Sequence, residues 1–130
     1  MRWERPASRM TDDEQVDELL VRATEDWLHP GDVFDVARHA APADDAAYVE
    51  QAIELTRSML VTGLAVAGDL TEAGFQPWLG DAGEAHERIA ALWRADPEAA
   101  PASFSVWLAA TPAGADRGEQ VLAHRDQPAD

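Results

Sequence analysis

The chain has 130 residues, which fits one domain, and 25 acidic against 10 basic residues give a formal charge of −15. It holds no cysteine and its basic residues are all arginine, which excludes disulfides, thiolate metal sites, thiol catalysis, Schiff-base chemistry and a P-loop lysine. No apolar run approaches the ~20 residues that span a bilayer and the N-terminus lacks the apolar core of a signal peptide, so the expected location is the cytoplasm.

Residues 1–10 carry Arg2, Arg5 and Arg9 against Glu4 and are expected to form a flexible arm. Translation from Met10 would leave Trp3 in an extension. Thr11 with Glu14 makes the T-x-x-E pattern of a capping box, and Val16, Leu19, Leu20, Ala23 and Trp27 recur at helical spacing, which predicts a helix from Asp12 to Leu28. Pro30-Gly31 reads as its stop. Asp32 then caps a second helix with Val33, Phe34, Val36 and Ala37 on its apolar side.

Asp44 or Asp45 opens a third helix, with Tyr48, Ala52, Leu55 and Met59 beside Val49, Ile53, Thr56 and Leu60 as two adjacent rows. Gly63 supplies its left-handed end, and Leu64 to Ala67 reads as a short strand. Residues 71–80, TEAGFQPWLG, read as an irregular loop that buries Phe75 and Trp78, with partial exposure of these two rings as a contact as the functional variant. Asp81 with Glu84 starts a fourth helix that ends at Asp96-Pro97, and PEAAP reads as a linker. Phe104, Val106 and Leu108 alternate with Ser105, Trp107 and Ala109, the pattern of a strand buried on one face. Thr111-Pro112 opens a last helix to about His124, in spite of Gly114 and Gly118. Trp78, Trp93 and Trp107 are expected to gather in a second small hydrophobic cluster, with a ligand pocket at these rings as the functional variant. Residues 125–130 read as a flexible tail.

This order gives an α+β, mainly helical fold class with about five helices and a small two-stranded sheet. Two helices, a third ending in Leu60 to Leu64 (L-x-x-G-L), a strand, and a later strand running into TPAG (Thr111 to Gly114) resemble a winged-helix domain. The resemblance implies a single domain over 11–124 whose wing is replaced by an insertion at 69–102. It also implies a third helix that enters a DNA groove. The chemistry of that helix opposes the role, since Asp44, Asp45, Glu50 and Glu54 face Arg57 alone.

Catalytic and metal motifs are absent from the spacing. His29, His39, His86 and His124 are scattered, and His86-Glu87 begins an H-E-x-x-H pattern that Ala90 breaks. Ser58, Ser103 and Ser105 lie in no G-x-S-x-G elbow, and adjacent acids at helix starts are ordinary capping groups. No enzyme activity, metal or cofactor is expected. A charge of −15 repels nucleic acid and anionic membranes and attracts a basic protein. The chain therefore reads as a non-catalytic acidic protein-binding module of the immunity-protein, antitoxin or regulatory-subunit type. The expected contact residues are Asp12, Asp13, Asp17, Glu18, Phe75 and Trp78. The alternative is a winged-helix transcription regulator that binds DNA through its arginine-bearing arm as a homodimer, with a small ligand at the tryptophans.

Overall fold

The computed structural model describes residues 10–126. The arm expected over 1–10 lies outside these residues except for Met10, and the tail expected over 125–130 lies outside them except for Arg125 and Asp126.

Helix α1, Asp12–Ala23, begins with the expected capping box: the Thr11 hydroxyl accepts from Glu14 N–H, and the Glu14 carboxylate accepts from Thr11 N–H. It ends earlier than the apolar spacing predicts. The Thr24 hydroxyl bonds the Val21 carbonyl, and Leu28 must be extended because it exchanges two backbone hydrogen bonds of 2.8 Å with Leu108. Trp27 thereby leaves the apolar face of the helix and is 39 % exposed.

Helix α2, Pro30–Ala40, starts on the proline that reads as a stop. Its N-cap is His29, whose Nδ1 accepts from Gly31 N–H, while the Asp32 carboxylate accepts from His29 N–H. Asp32 is thus the third residue of the helix and completes the cap instead of forming it. Helix α3, Asp45–Val61, is capped by Asp44 and closed by Gly63 at φ 76°, as expected.

Strand β1, Ala65–Thr71, pairs antiparallel with β2, Gly74–Pro77, where the sequence reads as an irregular loop. The hairpin forms because Gly74, at φ 100°, follows the two-residue turn Glu72-Ala73 and the Thr71 hydroxyl bonds Ala73 N–H. Helix α4, Ala82–Ala95, has the expected capping box from Asp81 and Glu84. The segment read as a linker carries a 3-10 turn, Ala100–Ala102, that packs on α2 with Ala100 buried.

Strand β3, Trp107–Ala110, pairs with β1, and the sheet order is β2-β1-β3. Val106 and Leu108 are buried as expected, but Phe104 is 68 % exposed, because the chain at residues 103–105 is not yet in the strand and its alternation does not apply. Helix α5, Pro112–Arg125, is capped by Thr111. The described residues are α+β and mainly helical, with five helices and a sheet of three strands where two were expected. This arrangement is compatible with a winged-helix-like layout.

One apolar core joins the elements, including Leu19, Leu20, Phe34, Leu55, Met59, Ile89, Trp93 and Leu108. Trp93 belongs to it, edge-on to Phe34 with ring centroids 5.3 Å apart. The expected second cluster therefore does not form: Trp93 anchors α4 in the main core, Trp78 lies between β1 and α4, and Trp107 faces outward. The glycines of α5 have a packing role. A Cβ on Gly118 would stand 2.6 Å from the Leu20 carbonyl oxygen, and one on Gly114 1.9 Å from that of Leu64, so α5 can approach α1 and the start of β1 only without side chains there.

Candidate functional site

Strand alternation sorts the sheet into two faces. The register pairs Ala65 with Ala110 and Ala67 with Leu108 on one face, where Ala65, Ala67 and Leu108 are buried in the core. The opposite face carries Val66, Gly68 and Leu70 from β1, Phe75 and Pro77 from β2, and Trp107 and Ala109 from β3. No helix covers it. Val66 and Leu70 are each 39 % exposed, as is Trp27, which arrives from the segment before Leu28.

Two aromatic pairs occupy this outer face. Trp27 stacks on Phe75 with centroids 6.3 Å apart and planes inclined by 27°. Trp107 stacks on Phe104 at 6.0 Å, donates its Nε1–H to the Phe104 carbonyl, and has the His29 ring edge-on at 5.8 Å. The sheet edge beside them is blunted by Pro77, which has no N–H to offer another strand. Recognition on this face therefore falls to side chains.

The rim is acidic. Glu25, Asp26 and Glu119 join Trp27, Ala109, Ala110 and Ala115 around an open hollow of about 380 Å³. None of these three carboxylates forms an ion pair among the described residues. The arginines of the described region are all engaged elsewhere. Arg22 bonds Asp35 at 2.7 Å, Arg57 holds Glu54, and Arg94 holds Glu50 through two bonds of 2.8 and 2.7 Å. Arg117 grips Asp17 at 2.9 and 3.0 Å, and Arg125 bonds Glu18 at 2.7 Å. Arg38 and Arg88 lie over aromatic rings, the latter 3.8 Å from the centre of Trp78.

The residues expected to form the contact surface are not brought together. Asp17 and Glu18 stitch α1 to α5 through Arg117 and Arg125, so much of their charge is spent inside the molecule. Asp12 accepts from the Gln51 side chain and Asp13 stays in the exposed first turn of α1. Phe75 lies on the outer sheet face, whereas Trp78 alternates inward and packs on the core. Trp27, Val66, Phe104, Glu25, Asp26 and Glu119 were missed. No local spacing marks them: Glu25, Asp26 and Trp27 fit a helix over 12–28, and only the pairing of Leu28 with Leu108 takes them out of it.

Helix α3, which the winged-helix resemblance implies would enter a DNA groove, is flanked by α4 and has its one arginine tied to Glu54. Arg94 and Arg57 hold the carboxyls of Glu50 and Glu54 below the usual carboxylate range, so both stay anionic. Among the described residues no three His, Cys, Asp or Glu side chains gather as a metal site, and no helix is long and apolar enough to cross a membrane. Neither a protein-family model, a curated protein nor a solved structure matches this chain.

Proposed function

We propose that this protein is a binding module that masks a basic, partly apolar surface of another protein with the outer face of its sheet. One observation carries the reading: an aromatic and aliphatic face left open to solvent is rimmed by carboxylates with no described cation to neutralise them. Exposed aromatic anchors surrounded by charge are the usual anatomy of a protein contact, the rings supplying affinity and the rim supplying steering. The charge of −15 extends that steering to long range. This replaces the acidic face of α1 as the contact surface, because half of the acids proposed there are held by α5.

The scaffold is read as a winged-helix variant with a helical insertion. Leu28 bridges Leu108 in β3, which also pairs with β1, so an extended residue between the first two helices lies next to the last strand. Reading of DNA by α3 is disfavoured by its flanking helix and by Glu50 and Glu54.

The test is quantitative capture from native extract treated with nuclease. Wild-type protein is expected to retain one stoichiometric basic protein, and the combined variant Glu25→Gln, Asp26→Asn, Glu119→Gln to retain it at least about tenfold less well. Undiminished capture by that variant, or recovery of nucleic acid alone, would overturn the assignment.

A further inference from the structure

Strand β1 begins at Ala65, but β2 pairs with it only from Gly68, followed by one more bond from Trp78 N–H to the Ala67 carbonyl. The alternation of this ladder is set at both sides. Thr111 N–H bonds the Leu64 carbonyl, so the even-numbered residues of β1 turn their backbone groups to β3, and the odd-numbered ones turn theirs to β2. Ala65 therefore aims its N–H and C=O at the place a longer β2 would fill with residue 80. The chain has left by then, turning at Gly80 (φ 108°) into α4. Among the described residues no hydrogen bond reaches either group, although Ala65 is only 3 % exposed.

A second orphan sits beside it. The indole Nε1–H of Trp78 is buried and has no hydrogen-bond partner. Trp78 and Ala65 both line a cavity of about 120 Å³, whose other walls include Leu60, Ala67, Ala82 and Ala85. Buried donors and acceptors are nearly always satisfied, so an unpaired backbone edge and an unpaired indole N–H on two residues that line one small cavity mark a place where something binds.

We propose that this cavity binds a small neutral molecule that joins a compact apolar body to a carboxamide or lactam group. The N–H and C=O of a single extended residue lie side by side. A carboxamide or lactam presents the complementary edge, N–H to the Ala65 carbonyl and C=O to the Ala65 N–H. Its carbonyl oxygen has a second lone pair for Trp78 Nε1–H. The methyl-lined walls suit an aliphatic or six-membered ring, since cavities of about 150 Å³ hold benzene. The Asp81 carboxylate at the wall opposes an anion of the same shape.

The experiment is a titration of the full chain with benzamide and with 2-pyrrolidinone, followed by 15N-resolved NMR of the Trp78 indole and the Ala65 amide. Both signals are expected to move together and to saturate with at least one of the two probes, while benzoate and toluene bind at least about tenfold more weakly. Trp78→Phe, which removes the donor together with part of the ring, weakens benzamide binding about tenfold while leaving toluene binding no weaker. Ala85→Leu fills the cavity and abolishes binding, with near-ultraviolet circular dichroism showing that the variant is folded. If both amides leave the two signals unmoved, or toluene binds as well as benzamide, or ordered water stays at Ala65 at saturation, the proposal is wrong.

Discussion

Phe75 lies across Gly68: a Cβ at position 68 would stand 2.7 Å from Phe75 Cζ and 2.4 Å from the Gln76 carbonyl oxygen. The ring can rest on the bare backbone of β1 and meet Trp27 only because that position has no side chain. Gly68→Ala is therefore expected to cost about 1–3 kcal/mol of stability and to shift the Trp27 indole signal as the stack is displaced. An unchanged melting temperature together with an unmoved indole signal would contradict this packing.

The two glycines of α5 test packing against propensity. Alanine in the interior of an exposed helix is favoured over glycine by about 1 kcal/mol. Here the added methyl meets the Leu20 carbonyl at Gly118 and the Leu64 carbonyl at Gly114, so both substitutions are expected to destabilise, Gly114→Ala more. Thermal unfolding of the two variants gives the sign directly.

Neutral variants separate internal carboxylates from external ones. Asp17→Asn and Glu18→Gln remove the ion pairs with Arg117 and Arg125, and are expected to lower the melting temperature slightly and leave partner affinity nearly unchanged. Glu25→Gln with Asp26→Asn has the reverse profile, with unaltered stability and weaker binding that depends less on salt. Paired melting and binding measurements check both halves.

The bond between Glu50 and Arg94 gives a pH dependence. Arg94 holds the Glu50 carboxyl below its ordinary value, so the folded state binds fewer protons at this site than the unfolded chain does. The stabilising contribution is complete above the ordinary glutamate range and is lost as pH falls through the lowered folded value. Both side chains are more than half exposed, which keeps the effect small. The gap in melting temperature between wild type and Glu50→Gln should be present at neutral pH and close in acid.

Much of the helical frame is legible in the sequence because its signals are local. The capping pairs Thr11 with Glu14 and Asp81 with Glu84, and the glycine at position 63, each act within a few residues of the boundary they define. What the sequence hid depends on partners far along the chain. Helix α1 stops at Ala23 because Leu28 is claimed by Leu108, and no period within residues 12–28 reveals that. Strand β2 is too short for alternation to speak, and it forms because β1 lies beside it. The candidate site was lost for the same reason. Asp17 and Glu18 look like a free acidic face until α5 brings Arg117 and Arg125 against them, whereas Trp27 and Phe75 become neighbours only across the sheet.

Site-directed photo-crosslinking in the native cell tests the docking face most directly. A photoreactive side chain at Val66, on the outer face of the sheet, is expected to capture one basic protein. The same probe at Glu87, on the exposed side of α4, should not capture it, and Trp27→Ala should abolish the adduct. A Val66 adduct that survives Trp27→Ala, an equal adduct from position 87, or crosslinks to nucleic acid alone would contradict the assignment of this face.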